Sequence, residues 1–129
     1  MPQFSVRLSS NRRGAHLARL ITARQMRSWG LDHRAAEQIV AELAANAAIH
    51  GSLPGRDFRL TLILAGAAIR IEVADTRGDR FPGVRKEAEG ESGRGLLLVE
   101  ALAGRWGVTS GPGGGKTVWA ECGVCPEAL

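Results

Sequence analysis

The chain has 129 residues, of which 44% are hydrophobic and 23% are charged. These values are typical of a globular protein, and the length fits one domain of roughly 100–200 residues. We therefore expect one domain over 1–129, with a core over about 4–121 and a tail over 122–129. No apolar run approaches the roughly 20 residues of a membrane-spanning helix, and the N-terminal sequence lacks a secretory signal pattern. The composition excludes a membrane-spanning protein and favours the cytoplasm.

The net charge of +4 comes from 17 Lys and Arg against 13 Asp and Glu. A basic protein favours an anionic partner, and the charge by itself does not separate a nucleotide, a nucleic acid and an acidic protein. Seventeen glycines indicate that backbone comes close to a ligand. The two cysteines, Cys122 and Cys125, are too few for a disulfide framework, and we interpret them as free thiols.

The first half of the chain predicts one strand and two helices. Apolar and polar residues alternate over Phe4–Leu8, which indicates an edge strand. A first helix follows the capping residue Asn11 and ends near Gly30, and a second begins at Asp32 and ends at Gly51. The apolar residues on one face of the second helix are Ala36, Ile39, Val40, Leu43, Ala44 and Ala47.

The second half predicts four strands, a long polar segment and a short helix. The 18 residues 76–93 are polar, glycine-containing and aperiodic, which is typical of a functional lid. In chain order the predicted elements are strands over 58–64 and 67–74, the lid, a helix over 95–102, and strands over 105–110 and 116–121. This order predicts an α+β two-layer sandwich, in which a mixed, mostly antiparallel sheet carries helices on one face.

Three polar residues of the second helix, Glu42, Asn46 and His50, are spaced by four and form a stripe beside the apolar face. A carboxylate and an amide one helical turn apart can hold a divalent cation and orient a reacting hydroxyl group. An ordinary solvated helix face explains the same stripe.

Asp75 follows a strand in which Ile69, Ile71 and Val73 share one face. If the strand continues through Asp75, the carboxylate points toward the helices and needs hydrogen-bond donors there. If the strand has ended, the side chain caps the next turn. The sequence leaves both interpretations open.

A glycine-rich loop, Gly93-Arg94-Gly95-Leu96, precedes the short helix. Free backbone amides at a helix start attract anions, and Arg94 adds a positive charge. The loop does not match a Walker or a dinucleotide-binding pattern, and a flexible connection is the more common explanation of such a loop. Thr117, on the last strand, fits ordinary strand composition.

In this order, the motifs resemble those of the GHKL superfamily, the Bergerat-fold ATP-binding domains of sensor histidine kinases, type II topoisomerases and heat-shock chaperones. The segment 42–47 resembles the asparagine motif, 73–78 the first glycine motif, 93–96 the second, and 115–119 the final strand. The resemblance covers 4–121 and is greatest to small bacterial domains similar to anti-sigma factor serine kinases.

This resemblance implies ATP and Mg2+ as cofactors and a role for each matching residue. Asn46 would hold Mg2+, Glu42 would act as a base, and Asp75 would accept a hydrogen bond from the adenine amine, supported by Thr117 through water. Two positions depart from the family pattern, since Gly78 is displaced by one place and Ile49 stands where many kinases carry a basic residue, which leaves His50 as the nearest candidate. The remaining implied contacts to the nucleotide are Gly93, Arg94, Gly95 and Leu96.

The resemblance favours a serine/threonine protein kinase of the anti-sigma factor type, which phosphorylates an anti-anti-sigma-like antagonist and binds a sigma factor. The alternative is a non-catalytic module that sequesters its partner. The hypothesis of a nucleic-acid-binding domain depends on charge alone, because aromatic residues are only 5% and no basic stripe is evident. The strand over Phe4–Leu8 is in addition a candidate homodimer edge.

Overall fold

The computed structural model of the chain describes residues 2–50, 57–75, 97–110 and 115–127. The predicted order of helices and strands is confirmed across these ranges, with ends that differ by a few residues. The lid over 76–93 and the glycine turn over 111–114 lie outside the described residues. The described elements are β1 (Gln3–Ser9), α1 (Arg12–Ser28), α2 (Arg34–His50), β2 (Asp57–Ala65), β3 (Ala68–Asp75), helical residues 97–102, β4 (Arg105–Ser110) and β5 (Lys116–Gly123).

The five described strands form one sheet in the order β1-β2-β3-β5-β4, and each neighbouring pair is antiparallel. The edge position predicted for the first strand is confirmed, because β2 is the one neighbour of β1 among the described strands. β2 and β3 form the predicted hairpin, whose turn contains Gly66 at a φ of +61°. A residue with a side chain is strained at this angle, so glycine suits the turn.

The core lies between α2 and one face of the sheet. From α2, Ile39, Val40 and Leu43 are fully or almost fully buried, as the apolar periodicity predicts. Alternate residues of β2 and β3 pack against these side chains from the sheet, because successive strand side chains point to opposite faces. These buried strand residues are Phe58, Leu60 and Leu62 in β2 and Ile69, Ile71 and Val73 in β3.

Side-chain oxygens satisfy backbone N–H groups at the start of both long helices. The backbone N–H of Gly14 donates to Asn11 Oδ1 over 2.8 Å, which confirms Asn11 as the cap of α1. Ahead of α2, the backbone N–H of Arg34 donates to Asp32 Oδ1 over 2.9 Å. The Arg34 side chain also hydrogen-bonds this carboxylate and lowers the pKa of Asp32 to about 2. None of the described helices is long and apolar enough to cross a membrane.

Candidate functional site

A pocket of about 320 Å³, partly open to solvent, lies where α2 faces strands β3 and β5. Part of this volume is open solvent, so the pocket is a cleft at the surface rather than an enclosed cavity. Apolar walls with a few polar groups are the usual chemistry of small-molecule sites. The residues lining the pocket are Leu43, Asn46, Ala47, Val73, Asp75, Lys116 and Val118.

Helix α2 supplies one wall of this pocket. Residues three and four apart lie on the same helix face, so Leu43, Asn46 and Ala47 are neighbours there. Leu43 is only 2% exposed and anchors the wall in the core, whereas Asn46 is half-buried. The amide of Asn46 thus lies at the boundary between the core and the pocket, where it can contact a ligand.

Asp75 supplies a carboxylate to the opposite wall. It is the last residue of β3, pairs with Phe58 on one side and Lys116 on the other, and is 9% exposed. It shares the core-facing side of β3 with Val73 and Ile71, since these residues are spaced by two. The strand therefore continues through Asp75, and the interpretation in which the carboxylate faces the helices is confirmed. An ionised carboxylate accepts hydrogen bonds and donates none, so this wall selects for a ligand with donors.

The structure does not bring Thr117 to the face that carries Asp75. Thr117 pairs with Ala74 on one side and Thr109 on the other, which puts it on the face of the sheet that points away from the helices. The residue paired with Asp75 is Lys116, and Lys116 lines the pocket. A single step along a strand reverses the face, so Thr117 and Asp75 lie on opposite faces of the sheet, and the water-mediated role of Thr117 stays a prediction.

The other predicted site residues fall into two groups. Glu42 lies one turn before Asn46, is half-buried, and is not among the residues that line the pocket. His50 is the last residue of α2, and its side chain lies outside the described part of the structure. The glycine-motif residues that also lie outside the described ranges are Gly78, Gly93, Arg94, Gly95 and Leu96.

Lys116 is the pocket residue that sequence reasoning missed. The motif resemblance singles out Thr117, the next residue along the strand. The signal that identifies Lys116 is the strand register, since it lies opposite Asp75 only when β5 pairs with β3 in the observed alignment. The alternation of Val118, Ala120 and Cys122 indicates that Lys116 shares the core-facing side of β5, but the residue opposite it depends on the register.

Comparison with known proteins agrees with the motif resemblance. The chain is similar in structure to the RsbU and RsbW domains of Rv1364c from Mycobacterium tuberculosis, with a TM-score of 0.71 and 24% sequence identity. The match covers 99% of this chain and 34% of that chain, so the present chain spans about a third of that protein's length. At this identity the likeness shows a shared fold. No curated protein matches the sequence.

A family model described as histidine kinase-like ATPase domain matches residues 8–121. The matched range contains α2, β2 and β3 and most of β5, and so includes Asn46, Asp75 and Lys116. This match confirms the resemblance to the GHKL superfamily. Because it covers nearly the whole chain, and because the α+β sheet and pocket agree with it, the chain belongs to the histidine kinase-like ATPase family.

Proposed function

We propose that this chain binds ATP with Mg2+ and transfers the γ-phosphoryl group to a serine or threonine of an antagonist protein, as anti-sigma factor kinases do. The observation that carries the proposal is that Asn46 of α2 and Asp75 of β3 line one pocket. They come from different elements of the chain, and both belong to motifs that the family resemblance assigns to nucleotide binding.

In this proposal, the adenine base occupies the end of the pocket beside Asp75. Its exocyclic amine donates a hydrogen bond to the buried carboxylate, whose two oxygens can accept several hydrogen bonds. Val73 and Val118 line the same pocket from the sheet, and Leu43 lines it from the helix. These apolar side chains provide dispersion contacts to the faces of a planar base.

Asn46 and Glu42 act at the phosphate end. Asn46 would hold Mg2+ through its amide oxygen, a ligand type that Mg2+ accepts together with phosphate oxygens and water. When bound, Mg2+ neutralises charge on the phosphates, which is the larger part of catalysis in phosphoryl transfer. Glu42 would accept the proton of the attacking hydroxyl group.

Calorimetry with MgATP tests the binding step. Asp75→Asn keeps the side-chain size and replaces an acceptor by an amide that also donates, so we expect MgATP affinity to fall about tenfold to a hundredfold. Glu72→Gln is the matched control, because Glu72 lies in the same strand on the opposite face, where it accepts a hydrogen bond from Arg70. Absence of MgATP binding by the wild-type chain, or equal affinity of Asp75→Asn, would contradict the proposal.

A second candidate function is a non-catalytic module that binds nucleotide and sequesters its partner. Two observations favour it: Glu42 does not line the pocket, and Ile49 stands where many kinases of the family carry a basic residue. Both candidate functions share the binding step, so they separate only at phosphoryl transfer.

Incubation with radiolabelled ATP and an anti-anti-sigma-type protein from the same organism separates the two candidates. For a kinase, we expect the antagonist to be labelled on serine or threonine, and Glu42→Gln to slow labelling about a hundredfold or more with MgATP affinity unchanged. Glu100→Gln, an exposed carboxylate on the helical residues 97–102, is the control and should label at the wild-type rate. Binding of MgATP without any labelling would favour the non-catalytic module.

A further inference from the structure

Lys116 and Asp75 form a pair of opposite charges on one wall of the pocket. They are directly opposite each other in the antiparallel pairing of β3 with β5, and both line the pocket. Side chains of directly paired strand residues begin about 4.5–5.5 Å apart at their Cβ atoms. A ligand edge that reaches the carboxylate of Asp75 is therefore within reach of the flexible Lys116 ammonium group.

The two groups are complementary in hydrogen bonding. The Asp75 carboxylate only accepts, and the Lys116 ammonium group only donates. Asn46, the other polar residue of the described lining, comes from α2 across the pocket and belongs to the phosphate end in the proposed function. Thr117 lies on the other face of the sheet. Within the described lining, Lys116 is thus the donor that stands beside Asp75 on the same wall.

Adenine and guanine differ at the edge that would face this wall. Adenine carries a donor, the 6-amino group, next to the acceptor N1, whereas guanine carries the acceptor O6 next to the donors N1–H and the 2-amino group. In the pose that places the 6-amino group of adenine on the Asp75 carboxylate, guanine would place O6 there, and the two acceptors would repel each other. A carboxylate with an adjacent ammonium group satisfies both edges, because the ammonium group can donate to O6 while the carboxylate accepts from N1–H.

We propose that Lys116 is a specificity-determining residue that allows the pocket to hold guanine as well as adenine nucleotides. The proposal rests on the proposed function, since it takes the pocket beside Asp75 as the base-binding end. Selectivity between related ligands depends on repulsive contacts as much as on attractive ones. Lys116 removes the repulsive contact that would otherwise exclude guanine.

Calorimetric titrations with MgATP, MgGTP and the inosine nucleotide MgITP test the proposal. Inosine shares O6 and N1–H with guanine and lacks the 2-amino group, so it reports the Lys116 contact separately. We expect the wild-type chain to bind all three within about tenfold. Lys116→Met should weaken MgGTP and MgITP about tenfold or more, the effect of losing a charge-assisted hydrogen bond, with a smaller change for MgATP. Lys116→Arg should restore binding of both oxo-purine nucleotides.

Arg59→Met is the matched control, because it removes one positive charge from the opposite, exposed face of the sheet. It should leave the order of the three affinities unchanged. Wild-type binding of MgATP without MgGTP or MgITP would overturn the proposal and leave the proposed function intact, and this measurement needs no variant. An unchanged ratio of MgGTP to MgATP affinity in Lys116→Met would also overturn it. Failure of all three nucleotides to bind the wild-type chain would overturn the proposed function itself.

Discussion

Cys122 and Cys125 differ sharply in environment although they are three positions apart. Both are free thiols, as the sequence predicts, but Cys122 is 6% exposed and packs in the core whereas Cys125 is exposed. Burial, with a smaller contribution from the nearby Cys125, raises the pKa of the Cys122 thiol. The thiolate is the reactive form, so a raised pKa lowers reactivity near neutral pH.

Iodoacetamide at pH 7.5 should therefore alkylate Cys125 at least about tenfold faster than Cys122, as followed by mass spectrometry. Raising the pH should increase the rate at Cys122, because more of the thiol ionises. In the Cys125→Ser variant, Cys122 should react slowly while the protein is folded, and denaturant should raise its alkylation rate to that of an exposed cysteine. Equal labelling of both cysteines in the native protein would contradict this prediction.

At the scale of elements, the contact between α1 and the end of β1 depends on Gly14. A Cβ atom at this position would lie 1.8 Å from the carbonyl oxygen of Ser9, so the helix backbone passes directly over the end of the strand. Helix propensity by itself favours alanine over glycine by up to about 1 kcal/mol. The steric conflict with fixed backbone is larger, since overpacking typically costs about 1–3 kcal/mol and the Ser9 carbonyl cannot rotate away as a side chain could.

Gly14→Ala should therefore lower the free energy of unfolding by about 2 kcal/mol or more, as measured by urea denaturation. Gly104→Ala is the control, because its Cβ atom would meet only the Glu121 carbonyl oxygen, at an ordinary contact distance of 3.7 Å. That variant should remain within about 0.5 kcal/mol of the wild type. A Gly14→Ala protein as stable as the wild type would show that α1 can shift away from β1.

At the scale of the whole molecule, the pocket lies between α2 and the neighbouring strands β3 and β5, so a ligand there contacts both the helix layer and the sheet. A ligand that binds only the folded state stabilises it by mass action, by about 2.7 kcal/mol at a hundred times its Kd. For a domain of this size, MgATP at that concentration should raise the Tm by roughly 10 °C. Asp75→Asn should lose about half of the Tm shift or more at the same concentration. AMP with Mg2+, which lacks the β- and γ-phosphates, should give a smaller shift than MgATP. A Tm independent of MgATP would contradict nucleotide binding.

Most of the fold could be predicted from the sequence, because the local periodicity of apolar residues indicates each helix and strand. The buried face of α2 follows from apolar residues at Ile39, Val40 and Leu43, and the buried face of β3 from Ile69 and Ile71. The position of Asn46 beside the apolar stripe likewise predicts that it lies at the edge of the core, and there it lines the pocket. These properties depend on residues within one helix or one strand.

The tertiary structure decided what depends on pairing between distant segments. The sequence left Asp75 with two interpretations, and the pairing of Asp75 with both Phe58 and Lys116 selected the buried one. The same register puts Lys116 on the wall of the pocket and Thr117 on the other face of the sheet. Side chains reverse face at each step of a strand, so an error of one position in register moves a residue to the other side of the sheet. The sequence by itself thus determined the helices, the strands and the motifs that resemble the family's, and the alignment of β3 with β5 determined that Lys116 lies opposite Asp75.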